Sequence, residues 1–166
     1  MPTLQRNSTT YGRNAKDLRE EACQPDYEGA RAAMESFYYA FNNRSMDVFD
    51  AVWADSEHIS LDNPVGGIMY GFHDIRELYR QIFEGPARVW VEFYDIVEYL
   101  GEETVVFAGR ERGEFSQGNE TTPLAIRTSR VFQYFGPNVG WRQVHHHGSI
   151  DDADELENYQ RAVQSS

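Results

Sequence analysis

Cysteine is almost absent from this chain, because Cys23 is the single cysteine among 166 residues. One cysteine excludes a disulfide within the chain, and it excludes a zinc site built from several cysteines. A glycine-rich phosphate loop is also missing, since Gly66-Gly67 is an isolated pair. We therefore expect no cofactor. We expect no metal ion either, because His145 and His147 could bind one only with a third ligand such as His58, and nothing in the sequence places His58 close to them.

Positive charge is the second shortage. Lysine and arginine total 15 residues against 27 aspartates and glutamates, so the formal net charge is -12. This excess disfavours nucleic acid or an anionic membrane as a partner of the general surface. No apolar run is long enough to cross a bilayer, and the N-terminus has no apolar signal core. The sequence therefore predicts a cytoplasmic protein.

The apolar and aromatic residues predict three helices followed by a sheet. Helical spacing begins at Tyr27, after Ser45 and after Gly71. Four long stretches rich in valine and aromatic residues follow, at residues 88–100, 104–115, 122–135 and 140–149. Long antiparallel strands twist and coil, and helices bury their apolar stripes against a neighbouring layer. The predicted fold is α+β, a cone-shaped curved antiparallel sheet with about three N-terminal helices on its concave face.

The composition of the two ends sets the predicted domain limits. Residues 1–26 are polar and predict a tail, with a short helical piece at residues 15–23. Residues 27–149 form the predicted domain. Residues 150–166 are acidic and predict a short helix or tail, since Leu156 and Tyr159 stand at helical spacing.

The last predicted strand concentrates polar side chains, including three of the five histidines. Strand alternation predicts two faces. One face holds Trp141, Gln143, His145 and His147, and the other holds Arg142, Val144, His146 and Gly148. Because polar residues on both faces are unusual for a core strand, we interpret this strand as one wall of a pocket.

Two stretches resemble a known family. One is Tyr70-Gly71 before the helix with Ile75-Arg76, and the other is Ser129-Arg130-Val131-Phe132 before the strand from Trp141 to Ser149. This order resembles the nuclear transport factor 2-like superfamily in its SnoaL-like branch, over about residues 27–149. The second stretch is similar to the association (hub) domain of calcium/calmodulin-dependent protein kinase II and its free-standing bacterial relatives, although Ser129 and Phe132 replace a threonine and a tryptophan.

The resemblance implies a cone-shaped fold, a deep pocket between the first helix and the sheet, and homodimers or larger homo-oligomers built through the sheet. It does not imply one chemistry, because fold alone does not set activity. Members of the superfamily include isomerases, cyclases, dehydratases and binding proteins without enzymatic activity.

Arg110 and Arg130 are the candidate cations of the pocket. A guanidinium on a partly apolar strand face needs a partner, and a ligand carboxylate can supply one. The resemblance implies arginines near both positions in an anion-accepting pocket. A one-residue slip of register would put Glu111 in the place of Arg110. The alternative role of both arginines is a structural salt bridge to Glu92, Asp95 or Glu114.

Asp62, His145 and Tyr38 are the candidates for acid–base chemistry. Asp62 or His145 would accept a proton, and Tyr38 would donate to an oxyanion. The alternative for Asp62 is turn capping before Asn63-Pro64, and the alternative for the histidines is hydrogen bonding across strands. The other predicted pocket residues are Phe41, Trp53, His58, Phe83, Trp90 and His147.

Three functions stay open at this point. The first is binding of a small anionic, carboxylate-type molecule in the pocket of a dimer. The second is an isomerase, dehydratase or cyclase activity that works by proton abstraction without a cofactor. The third is a hub-like oligomerisation domain.

Overall fold

Seven strands pair into one sheet in the computed structural model, which describes residues 2–165. In chain order the strands are β1 (Thr3–Asn7), β2 (Ser60–Asp62), β3 (Ile68–Tyr70), β4 (Arg88–Leu100), β5 (Thr104–Gln117), β6 (Glu120–Tyr134) and β7 (Trp141–Ser149). The spatial order is β1-β4-β5-β6-β7-β2-β3. All neighbours are antiparallel except β2, which runs parallel to β7. The four long strands therefore form the centre of the sheet, and short strands extend both edges.

Four α-helices accompany the sheet within the described residues. They are α1 (Tyr27–Asn43), α2 (Met46–Val52), α3 (Phe72–Glu84) and α4 (Ala153–Gln164). The side chains of Asp26, Ser45 and Asp152 each accept a hydrogen bond from a backbone N–H in the first turn of α1, α2 and α4. Such caps satisfy donors that a helix leaves free at its start.

The core lies between α1 and the inner face of the sheet. Met34 and Phe37 of α1 are fully buried, as are Phe93 of β4 and Phe132 of β6, which α1 covers, and Phe107 of the intervening β5. Burial of such side chains stabilises the fold by about 1.5–3 kcal/mol each. The predicted α+β fold, a curved sheet with helices on one face, is confirmed.

The N-terminal residues are ordered by the sheet, although the sequence predicted a tail. Strand β1 pairs with β4, and the backbones of Tyr11 and Phe93 exchange two hydrogen bonds. The buried carboxylate of Glu98 accepts hydrogen bonds from Gln5 and Asn7. Periodicity missed β1 because an edge strand with both faces exposed or polar shows no apolar alternation.

Two bulges change the direction of side chains in the long strands. One lies in β4, between Tyr94 and Val97, where Asp95 has a φ of 55°. The other lies in β7, because Val131 and Phe132 pair with His145 and Gln143 and leave Val144 as an extra residue. The inward residues of β7 are therefore Trp141, Gln143, His146 and Gly148. The predicted face with His145 and His147 is wrong beyond Gln143, since the bulge reverses the alternation.

Gly113 marks a close approach between β4 and β5. A Cβ atom at this position would lie 1.9 Å from the carbonyl oxygen of Trp90. We expect Gly113→Ala to lower the free energy of unfolding by more than about 2 kcal/mol, because the backbone oxygen cannot move without loss of strand pairing. Urea unfolding measures this change. The control is Gly118→Ala in the β5–β6 turn, which has open space but a φ of 61° and should lose only about 1 kcal/mol. Equal losses in the two variants would contradict the close approach.

Candidate functional site

Arg130 stands at the centre of a buried polar network on the inner face of β6. Its side chain is almost fully buried, and each of its three nitrogens donates one hydrogen bond. Nε donates to Tyr38 Oη at 2.8 Å, Nη1 donates to Gln143 Oε1 at 2.9 Å, and Nη2 donates to Glu111 Oε2 at 3.0 Å. The guanidinium also lies 3.7 Å from the centre of the Phe37 ring. Five N–H groups are available on a guanidinium, so two remain for a further partner.

Glu111 balances the charge of Arg130. The Tyr38 hydroxyl donates to Oε2 at 2.7 Å, and the Thr128 hydroxyl donates to Oε1 at 2.7 Å. Burial raises the pKa of Tyr38 well above its ordinary value, so the phenol keeps the proton that it donates. The pair is almost inaccessible, and its hydrogen bonds compensate for the loss of hydration. The network therefore carries no net charge.

His146 faces the same region but has no partner. It pairs with Arg130 in the β6–β7 register and is 4% exposed. Within residues 2–165, neither Nδ1 nor Nε2 of His146 has a hydrogen-bond partner. Burial, and next the charge of Arg130, lower the pKa of His146 well below its ordinary value of 6.5. The imidazole is thus neutral and offers one donor and one acceptor.

A cavity of about 400 Å³ lies between the helices and the sheet. Glu111, Arg130 and His146 contribute its polar end, together with two tyrosines, Tyr79 of α3 and Tyr159 of α4. The rest of the lining is mainly apolar and includes Phe37, Phe41, Leu61, Val91, Phe115 and Ile126. A mainly apolar cavity of this size with a few convergent polar groups is typical of sites for small organic molecules.

Some of the predicted ligand-binding residues line the cavity, and the others do not. Arg130 and Phe41 line the cavity, while Tyr38 supports Arg130 from α1 without reaching the lining. Trp53 and Phe83 are buried behind Tyr79, with ring centroids 6.4 and 6.1 Å from its ring. The aromatic spacing that suggested pocket lining therefore marks core packing at these two positions.

Three other predicted residues lie away from the cavity. Arg110 is exposed and pairs with Asp95 at 3.2 Å, because Glu111 is the inward residue at this point of β5. Trp90 is not part of the cavity lining, and the guanidinium of Arg13 lies 4.0 Å above its ring. His58 is largely exposed beside Glu57. Arg110 follows the salt-bridge alternative that the sequence also allowed.

Asp62, His145 and His147 form a separate cluster outside the cavity lining. Asp62 Oδ2 lies 2.7 Å from His147 Nδ1 and 3.9 Å from His145 Nε2. His145 Nδ1 lies 2.7 Å from Ser60 Oγ, through the parallel pairing of β2 and β7. The structure therefore separates the two predicted bases from Tyr38. Within residues 2–165, no group of three acidic, cysteine or histidine residues could hold a metal ion.

His146, Tyr79 and Tyr159 are cavity residues that the sequence analysis did not select. His146 is one residue from the predicted position His145, and only the bulge at Val144 brings it inward. Tyr159 stood on the predicted C-terminal helical stripe, and Tyr79 lies on the apolar stripe of the helix predicted after Gly71, where aromatic residues are usually core. Glu111 had appeared only as the result of a register slip. The signal for His146 was the cluster of three histidines, and spacing could not choose among them.

Because Arg130 and Glu111 form a buried ion pair, we expect the free energy of unfolding to depend strongly on both residues. Arg130→Met leaves the Glu111 carboxylate buried without its cation, so we expect a loss of about 3–5 kcal/mol in unfolding free energy. Adding Glu111→Gln removes the uncompensated charge and should recover much of that loss. Urea unfolding of the two single variants and the double variant measures the coupling. Arg112→Met, which breaks the exposed pair with Glu92, is the matched control and should change little. A double variant no more stable than Arg130→Met would contradict this account.

The depressed pKa of the buried His146 predicts that the free energy of unfolding falls in acid. Its pKa is depressed in the folded protein, so below pH 6.5 the unfolded chain binds a proton that the folded chain does not. The unfolding free energy should therefore fall as the pH drops from 7 to 5, by up to about 1.4 kcal/mol per pH unit for this one proton. In His146→Leu this part of the slope disappears. The variant should also be at least as stable as the wild type at pH 7, because two unpaired nitrogens are removed.

The measurement is urea unfolding at several pH values. The control variant is His58→Ala, which removes an exposed histidine. A slope that His146→Leu leaves unchanged would contradict the assignment of a neutral buried imidazole.

The SnoaL-like domain family matches residues 30–153 of this chain. A proposed calcium/calmodulin-dependent protein kinase type II association domain from Thiobacillus denitrificans is 30% identical, with a TM-score of 0.57 and coverage of 74% of this chain and 94% of that chain. None of the curated proteins matches this chain. Among residues 2–165, no helix has both the length and the apolar character needed to span a membrane.

Two further structures show the same fold. A proposed dehydratase of the NTF2-like family from Streptomyces avermitilis is 18% identical, with a TM-score of 0.68 and coverage of 77% of this chain and 98% of that chain. An LEH-like epoxide hydrolase from M. tuberculosis is 18% identical, with a TM-score of 0.58 and coverage of 87% and 93%. At this identity they support the fold alone, whereas the match over residues 30–153 supports the family. This chain belongs to the SnoaL-like domain family.

Proposed function

We propose that this protein binds a small, mainly apolar organic molecule in its cavity and holds an oxygen-bearing group of that molecule at His146 and Arg130. The observation that carries the proposal is the unpaired imidazole of His146 at the cavity wall. A buried polar group without a partner destabilises a protein by about 1–3 kcal/mol. Both ring nitrogens are inaccessible in the ligand-free protein, so a ligand oxygen removes this penalty by pairing with the imidazole as the ring turns towards the cavity.

The charge of the polar end favours a neutral ligand. Glu111 already neutralises Arg130 at 3.0 Å, so a ligand carboxylate would add an unbalanced negative charge beside Glu111. A carbonyl or hydroxyl group can use the two free N–H groups of Arg130 and the imidazole without adding charge. The carboxylate-type ligand predicted from the sequence is therefore the competing class, and it requires Glu111 to give up its place on Arg130.

The binding experiment compares two ligands of matched length, methyl hexyl ketone and octanoate. We expect the ketone to raise the Tm by about 5–10 °C at about 100 times its Kd, because it binds the folded state alone. His146→Leu should abolish most of this shift, whereas His58→Ala should retain it. A larger shift with octanoate that Arg130→Met abolishes would support the anionic ligand instead. No shift with either compound would overturn the proposal.

An acid–base enzyme is the second candidate, and His146 is the observation that favours it. A neutral imidazole can take a proton from the carbon next to a ligand carbonyl, and the free N–H groups of Arg130 can stabilise the enolate oxygen. The imidazolium exchanges its proton with solvent and then returns one to carbon, so water is the only other reactant. His146 would replace the predicted bases Asp62 and His145. Proton NMR of the ketone in D₂O separates the two functions, since only catalysis replaces the hydrogens beside the carbonyl with deuterium.

Assembly through the sheet is compatible with either function. The cavity lies on the inner face of the sheet, so contacts through the outer face would leave it open to a ligand. The 30% identity to a proposed association domain supports a homodimer or a larger homo-oligomer.

A further inference from the structure

The C-terminal helix α4 forms part of the cavity wall. Helix α4 covers residues 153–164, so nearly all of it lies beyond the match to the SnoaL-like domain at residues 30–153. Tyr159 and Val163 of α4 line the cavity. Gln160 donates a hydrogen bond to the carbonyl oxygen of Val65 at 3.0 Å, and Val65 also lines the cavity. A segment outside the shared domain therefore completes the site.

A ring contact holds Tyr159 in place, and its hydroxyl is available for a hydrogen bond to a ligand. The ring centroid lies 5.8 Å from that of Phe115, in an edge-to-face contact. The hydroxyl makes no hydrogen bond within residues 2–165. Burial, and next the charge of Glu111, raise the pKa of Tyr159 to about 12, so the phenol stays protonated. A protonated phenol with no internal acceptor is available to donate to a bound molecule.

Tyr79 of α3 repeats this arrangement on another wall. It is 5% exposed, lines the cavity, and makes no hydrogen bond through its hydroxyl among the described residues. Its ring is fixed by five aromatic neighbours, which are Phe37, Phe41, Phe49, Trp53 and Phe83. Arg130, Glu111 and Tyr159 act electrostatically on Tyr79, and Glu111 also acts on Tyr159. The two hydroxyl groups thus belong to the same polar end as Arg130.

On the basis of the proposed function, we propose that Tyr159 of α4 determines ligand specificity, because its hydroxyl donates a hydrogen bond to the carbonyl oxygen of a neutral ketone or ester bound in the cavity. A carbonyl oxygen accepts two hydrogen bonds and needs no donor of its own, so it can pair with Tyr159 and with one donor of His146 or Arg130. Tyr79 of α3 is left to pair with a second oxygen, such as that of an ester. The carboxylate of Glu111 beside this end disfavours a second anion. The ligand class is therefore a neutral carbonyl compound with an apolar body.

The test compares methyl hexyl ketone with the alkene in which a methylene group replaces the ketone oxygen. The two compounds have nearly the same shape, and only the ketone accepts hydrogen bonds. The Kd of each is measured by calorimetry for the wild type and Tyr159→Phe. We expect Tyr159→Phe to weaken ketone binding about three- to tenfold and to leave alkene binding unchanged, because only the hydroxyl is removed. Tyr99→Phe, at an exposed tyrosine of β4, is the matched control and should change neither Kd.

The outcomes separate this inference from the proposed function. If Tyr159→Phe keeps the wild-type ratio of the two Kd values while His146→Leu weakens ketone binding, the role of Tyr159 is overturned and the proposed function stands. If the wild type binds neither compound, both are overturned. Tyr159→Leu supplies a second variant, since loss of the ring should weaken binding of the ketone and the alkene alike.

Discussion

The buried pair of Arg130 and Glu111 is the constraint on which the rest of the structure depends. A guanidinium and a carboxylate can be removed from water only if their hydrogen-bonding capacity is met. Here α1 supplies Tyr38, β6 supplies Thr128, and β7 supplies Gln143. These partners come from distant parts of the chain, so the pair requires the docking of α1 and the register of three strands to be correct at once. A one-residue slip of β5 would turn Glu111 to the outer face and leave the charge of Arg130 buried without its partner.

The cavity contains two kinds of polar group, and their difference points to the ligand. Each nitrogen of Arg130 and each oxygen of Glu111 already has a protein partner. His146 and the hydroxyl groups of Tyr79 and Tyr159 have none within residues 2–165. Satisfied groups shape and orient a site, whereas a buried unpaired group such as the His146 imidazole lowers the stability of the empty protein. A ligand that pairs with the imidazole removes this penalty, and that gain contributes to its binding free energy.

The sequence predicted the architecture because the architecture follows from apolar spacing. The three N-terminal helices and the four long strands all appear where periodicity and turn residues predicted them. Apolar spacing did not predict the register of the strands. The bulge at Val144 moves His146 inward in place of His145, and Glu111 rather than Arg110 faces Arg130. A bulge is one residue of extra strand, and its position depends on contacts across the sheet that a single strand does not encode.

Arg130 could be selected from sequence for a reason that Arg110 lacked. Both arginines lie within long strands, but Arg130 also matched the motif that resembles the hub domains. The structure buries Arg130 and leaves Arg110 paired with Asp95 at the surface. No motif could identify Tyr159 in the same way, because it lies outside the family match. Tyr159 reaches the cavity only through the packing of α4 on β5 and β6. Helix α4 supplies no hydrogen bond to the buried charges of Arg130 and Glu111. Substitutions in α4 can therefore change which ligand binds while the buried polar network stays the same.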